Sequence, residues 1–106
     1  MKEAVRILED KKAVDIEVID ISKLTTLADY FVICSGTSST HVRALTDELE
    51  LGMEASGFKC LRKEGCETAK WVLIDFGDLI VHIFQQEYRE FYDIERIWSD
   101  GIMFKH

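Results

Sequence analysis

An α/β domain built on a mixed sheet of about five strands with flanking helices is predicted by three observations in the sequence. A continuous apolar run at residues 30–34 passes through Ser35-Gly36 and a cluster of hydroxyl residues into a stripe of apolar residues at helical spacing, the pattern of a buried strand followed by a covering helix. Two further runs, 71–76 and 79–84, flank the two-residue turn Gly77-Asp78, a strong hairpin signal because glycine supplies the positive φ that such turns require. A crossover through a helix favours parallel neighbours and a hairpin enforces antiparallel ones, so the sheet is mixed. The chain has 106 residues, 47% hydrophobic, with no proline, repeat or linker, which suits one core and a single domain over residues 1–106.

The elements follow in order. Residues 3–12 make a short charged amphipathic helix with Val5, Ile7 and Leu8 on its apolar side. In residues 13–21, Val14, Ile16 and Val18 alternate with Asp15 and Glu17. The phase then shifts to Ile19 and Ile21, which suggests a bulge or entry into a region covered on both faces. After a polar connection comes the strand at 30–34, expected at the centre of the sheet. Thr37, Ser38, Ser39 and Thr40 offer caps to a helix that runs to about residue 56 and stops at Gly57. Val42, Leu45, Leu49 and Met53 form its buried stripe; Gly52 within it costs about 1 kcal/mol relative to alanine unless close packing requires it. Residues 58–63 read as a partly basic edge strand, 64–70 as a polar loop, and 71–84 as the hairpin. A last helix over 87–99 carries Tyr88, Phe91, Ile94 and Trp98 on one side, and the tail after Asp100 is expected to fray.

Charge narrows the partners. Thirteen Lys and Arg against twenty Asp and Glu leave a formal net charge of -7, and the longest basic runs are the pairs Lys11-Lys12 and Arg62-Lys63. Neither nucleic acid nor an anionic membrane suits such a surface, because both are bound mainly by clustered cations. A basic protein suits it well. Cys34, Cys60 and Cys66 contain no C-x-x-C pair and read as reduced thiols. The start of the chain lacks an apolar signal region, so a cytoplasmic location is expected.

Read face by face, the hairpin pairs Phe76 with Leu79, Ile74 with Val81 and Val72 with Ile83 on a wholly apolar side that belongs to the core. The other side pairs Asp75 with Ile80, Leu73 with His82 and Trp71 with Phe84. Two arrangements fit it. A covering element would make His82 a satisfied core histidine; a partly open face would present Trp71 and Leu73 as anchors beside Asp75 and His82, suited to a basic partner.

Catalytic patterns are weaker. The segment Gly36-Thr37-Ser38-Ser39 before a helix could bind an anion, yet it has no P-loop ending, no G-x-G-x-x-G and no G-x-S-x-G elbow, and capping explains it. Asp15 and Glu17 could contribute to a Mg²⁺ site if other ligands converged, but solvated alternation is the commoner meaning. His41, His82 and His106 are widely spaced.

The segment from Asp29 to Val42, DYFVICSGTSSTHV, together with Glu64-Gly65, Trp71, Asp75, Gly77-Asp78, Val81-His82 and YDIERIW over 92–98, resembles the ribosomal silencing factors, also called the Iojap family. The resemblance runs through nearly the whole chain in order. It implies a nucleotidyltransferase-like fold without transferase activity, no cofactor and no metal. It also implies binding to the basic large-subunit ribosomal protein numbered fourteen, which blocks joining of the ribosomal subunits and lowers translation when nutrients are scarce. A homodimer is implied as well. Carried onto this sequence, Trp71 is the aromatic anchor, Tyr92 a second contact, Asp75 and Asp78 the carboxylates for Lys or Arg, and His82 an orienting hydrogen-bond group; Leu73 joins them from the hairpin pattern. A two-metal transferase site needs several convergent carboxylates, and here the D-x-E of Asp15 and Glu17 precedes the Gly36 turn while the later strands add Asp75 alone. A nucleotide-binding enzyme and a homo-oligomeric interaction module are the alternatives from other classes.

Overall fold

In the computed structural model, which describes residues 1–89 and the backbone of 102–105, the chain forms α1 (Lys2–Asp10), β1 (Val14–Asp20), β2 (Tyr30–Gly36), α2 (Ser39–Ala55), β3 (Arg62–Glu64), β4 (Trp71–Asp75), β5 (Leu79–Gln85), one 3-10 turn (Gln86–Tyr88) and β6 (Ile102–Lys105). The strands make one six-stranded sheet in the order β3-β4-β5-β2-β1-β6. β2 and β5 run parallel and all other neighbours antiparallel, so the sheet is mixed and β2 lies inside it, as expected. The remainder of the expected helix over 87–99, with Tyr92, lies outside the described residues.

Both helices cover one face. Val42, Leu45, Leu49 and Met53 of α2 are buried with Ala4, Val5, Ile7 and Leu8 of α1 against Val18, Val32, Cys34, Val72, Ile74, Val81 and Ile83 of the sheet. Fully burying one such aliphatic side chain contributes about 1.5–3 kcal/mol, so this layer dominates the stability. Gly52 has a packing reason: a Cβ there would stand 2.5 Å from Ile7 Cδ1, so the helices cross in close contact at this point. Ser38 caps α2 by accepting the His41 backbone N–H at 3.1 Å. The hairpin has the register read from its turn, with Val72 opposite Ile83, Leu73 opposite His82 and Trp71 opposite Phe84.

Three expectations are corrected. The edge strand begins at Arg62 rather than residue 58, because the chain is still closing α2 there: the Phe58 N–H donates to the Met53 carbonyl at 2.8 Å. The irregularity in β1 falls between Val14 and Glu17, where Asp15 has φ +49°; beyond it the strand is covered on both faces, and Glu17 is buried instead of solvated. The tail does not simply fray after Asp100, since 102–105 pair with β1, Asp20 opposite Ile102 and Glu17 opposite Lys105. That pairing satisfies backbone groups that β1 would otherwise leave open on its outer side.

Candidate partner-docking face

The second face of the sheet has a buried centre and a half-open border. Ile19, Ile21, Ala28, Phe31, Ile33 and Phe84 form its apolar cluster, with Trp71 and Ile80 packed at the margin. His82 in this centre is only 3% exposed. One strand outward, Trp71, Leu73 and Asp75 of β4 are half-buried, and Asp78 in the turn is exposed. Among the described residues, the face is thus buried over β1, β2 and most of β5 and half-buried along β4.

Trp71 lies at that boundary. Its ring stacks on Phe84 with centroids 5.3 Å apart and planes 21° apart, and its indole N–H donates to His82 Nδ1 at 3.0 Å. His82 also meets the Phe31 ring edge-on at 4.7 Å. Burial pushes the His82 pKa down to about 4, so the ring is neutral at pH 7. A neutral imidazole that accepts on Nδ1 carries its proton on Nε2, and Nε2 is buried with no hydrogen-bond partner among the described residues. At 3% exposure the His82 ring lies beneath the surface that Trp71 borders.

The carboxylates cluster at one end of the border. Asp75 Oδ1 accepts the Gly77 N–H at 2.8 Å, which shapes the turn, while Oδ2 lies 3.9 Å from the Arg62 guanidinium across the β3–β4 pair. Asp75 is thus already partnered within the chain and is 22% exposed at its side chain. The Asp78 carbonyl accepts from the N–H groups of Asp29 and Tyr30 at 2.8 and 3.1 Å, which brings Asp29, also exposed, beside Asp78. Asp29 opens the family segment but was not placed at this border from sequence, because nothing local couples it to a turn almost fifty residues on. Leu27, 77% exposed, precedes it by two residues.

Gly65 supports the border from beneath. It has φ +83°, and a Cβ there would lie 2.0 Å from the Trp71 carbonyl oxygen, so the loop before β4 can press on Trp71 only with glycine at this position. At the far end of the same face, Arg89 holds the β1 irregularity. Its guanidinium donates to the Asp15 carbonyl and, at 3.1 Å, to Ser35 Oγ, and lies 3.5 Å from the Glu17 carboxylate. With side chains 10% and 12% exposed, this ion pair would be costly to break from one side.

The Gly36–Ser39 segment is occupied by capping. The Thr37 N–H donates to His41 Nδ1 at 2.9 Å, so His41 carries its proton on Nε2 and donates to the Lys11 carbonyl at 3.0 Å. Asp15 and Glu17 do not converge, since Glu17 is held by Arg89 while Asp15 is exposed. No group of three or more His, Cys, Asp and Glu among the described residues could hold a metal ion. Cys34 is fully buried and its thiol is pushed up to about 12 by burial, which makes it unreactive at neutral pH; Cys60 and Cys66 are half-buried and free. No helix among the described residues is long and apolar enough to cross a membrane.

Fold and face together define a small mixed-sheet α/β protein with an aromatic border, rimmed by carboxylates, along one hairpin strand. The family model described as "Ribosomal silencing factor during starvation" matches residues 1–105, and the chain belongs to that family. It is similar to the ribosomal silencing factor of Halalkalibacterium halodurans, 39% identical over 92% of this chain and 84% of the relative. A more distant relative is the mouse mitochondrial assembly of ribosomal large subunit protein 1, 32% identical over 90% of this chain and 43% of its own length. A crystal structure from Chromobacterium violaceum superposes with TM-score 0.90 at 38% identity, covering 92% of this chain and 82% of that one. Membership implies a ribosome-associated repressor of translation or assembly.

Proposed function

We propose that this chain represses translation in the cytoplasm by docking on a basic protein of the large ribosomal subunit, the one numbered fourteen, where its bulk blocks joining of the small subunit. The observation that carries the proposal is the β4 border, which begins at a half-exposed tryptophan and ends at Asp75, with Asp78 and Asp29 at the adjoining turn, on a chain of net charge -7. An aromatic anchor supplies affinity, and carboxylates around it select Lys and Arg and speed encounter. Trp71 and Leu73 are the anchors, Asp75 and Asp78 the charged rim, and Tyr92 a further contact. The action is steric and non-catalytic, and the nucleotidyltransferase-like skeleton serves as a platform.

Co-sedimentation with isolated large and small subunits, followed by a subunit-joining assay, tests the proposal. Binding to the large subunit alone, with joining inhibited in proportion to occupancy, is the expected result. Binding only to the small subunit would overturn it. The homodimer implied by the resemblance enters through the same border or through another. Quenching of Trp71 fluorescence across a dilution series separates the two, since a dimer on this border protects the ring.

A further inference from the structure

We propose that His82 is the positioning residue for Trp71: it accepts the indole N–H on Nδ1 and so holds the ring at the β4 border in one orientation, without touching the partner itself. The inference rests on the docking role of Trp71 given above. Stacking on Phe84, at 5.3 Å, does not by itself distinguish the N–H edge of the indole from its other edges. The 3.0 Å bond to His82 does distinguish it, since only one edge of the indole carries the N–H.

Packing alone does not account for a histidine here. Its neighbours Phe31, Trp71 and Phe84 are aromatic, and an apolar side chain of similar size would fill the same space. Histidine instead leaves a buried Nε2 with no partner among the described residues, a cost that leucine or phenylalanine would avoid. What histidine supplies in return is an acceptor at Nδ1. That acceptor lies out of a partner's reach, because His82 is 3% exposed, so its effect on binding passes through the indole.

An anchor that populates its competent orientation only part of the time loses apparent affinity in proportion to that fraction; an ordinary hydrogen bond corresponds to about threefold to tenfold. The test uses the full chain as wild type, His82→Leu, His82→Asn and Trp71→Ala, with two readouts: the ¹H–¹⁵N signal of the Trp71 indole, assigned by its loss in Trp71→Ala, and affinity for isolated large subunits. Asparagine places its side-chain oxygen near the position of Nδ1, so His82→Asn is expected to keep the hydrogen-bonded indole signal and an affinity within about twofold. His82→Leu is expected to shift the indole signal to that of an unbonded N–H and to bind about threefold to tenfold more weakly. His82→Phe gives the same comparison if leucine is not tolerated.

The proposal is overturned if His82→Leu or His82→Phe keeps the wild-type indole signal, or if His82→Asn loses it. Wild-type affinity in His82→Leu while Trp71→Ala binds weakly also overturns it. Wild-type affinity in Trp71→Ala rejects the docking role of Trp71 instead, and the indole signal then reports on the bond separately.

Discussion

On one face of the β4–β5 hairpin, Val72, Ile74, Val81 and Ile83 are fully buried beneath α2; on the other, Phe84 and His82 are just as deep, yet Trp71 and Leu73 one strand outward are half-exposed. Both faces come from the same two strands, whose residues alternate between them. Apolar content does not separate them, since aromatic and aliphatic side chains occupy both. What separates them is how far the cover extends and where polar groups were placed. The helix-covered side contains no side-chain hydrogen-bonding group at these four positions, whereas the other carries His82 and Asp75, each engaged in a specific bond. One face is organised for stability, and the other spends some stability on orientation.

The largest expected effect tests the first face. Ile74→Ala empties part of a fully buried layer and should lower unfolding free energy by about 2–5 kcal/mol, measured by urea denaturation. The fraction still folded should bind large subunits normally, and a specific loss of binding would blur the distinction between the faces.

Acid probes the second face. His82 has a pKa of about 4 when folded against 6.5 for an unperturbed imidazole, so between those values the unfolded chain takes up the proton and the native state does not. The contribution is complete above about pH 6.5 and falls away as the pH drops toward 4, by about 3 kcal/mol in total. In His82→Asn this part of the acid limb should be missing from a series of denaturation curves.

Trp71→Ala should weaken large-subunit binding by more than about 2 kcal/mol, about thirtyfold, with a far smaller loss of stability than Ile74→Ala. Gly65→Ala should act on the same border from below. Its Cβ has no room beside the Trp71 carbonyl and its φ of +83° is strained for alanine, so about 1–3 kcal/mol of stability should be lost and the start of β4 displaced. Asp78→Asn is the mildest, at up to about 1 kcal/mol of binding, seen mainly as a slower association that high salt conceals. An Asp78→Asn effect as large as that of Trp71→Ala would show that charge, not the aromatic anchor, dominates the border.

The hairpin was legible residue by residue because Gly77-Asp78 defines its loop and the loop defines every pair beyond it. The stripe of α2 was legible for the same kind of reason, a local period. Glu17 was not: its alternation with Val18 resembles a solvated strand, and it is buried because Arg89, seventy-two positions later, reaches it across an irregularity that begins at Asp15. The role of His82 was only half legible. Register placed it opposite Leu73, but the depth of the cover and the bond from Trp71 depend on packing among strands distant in sequence. Gly65 entered through family resemblance alone, and only the approach of the Trp71 carbonyl supplies its physical reason.

The central claim is that the half-open β4 border, through Trp71, holds the chain on the large subunit and so keeps the small subunit away. Light scattering of subunit joining, titrated with wild type and with folded Trp71→Ala, tests it most directly. Inhibition by wild type, with about thirtyfold more Trp71→Ala needed for the same effect, is the predicted result. Equal inhibition by the two proteins would contradict it.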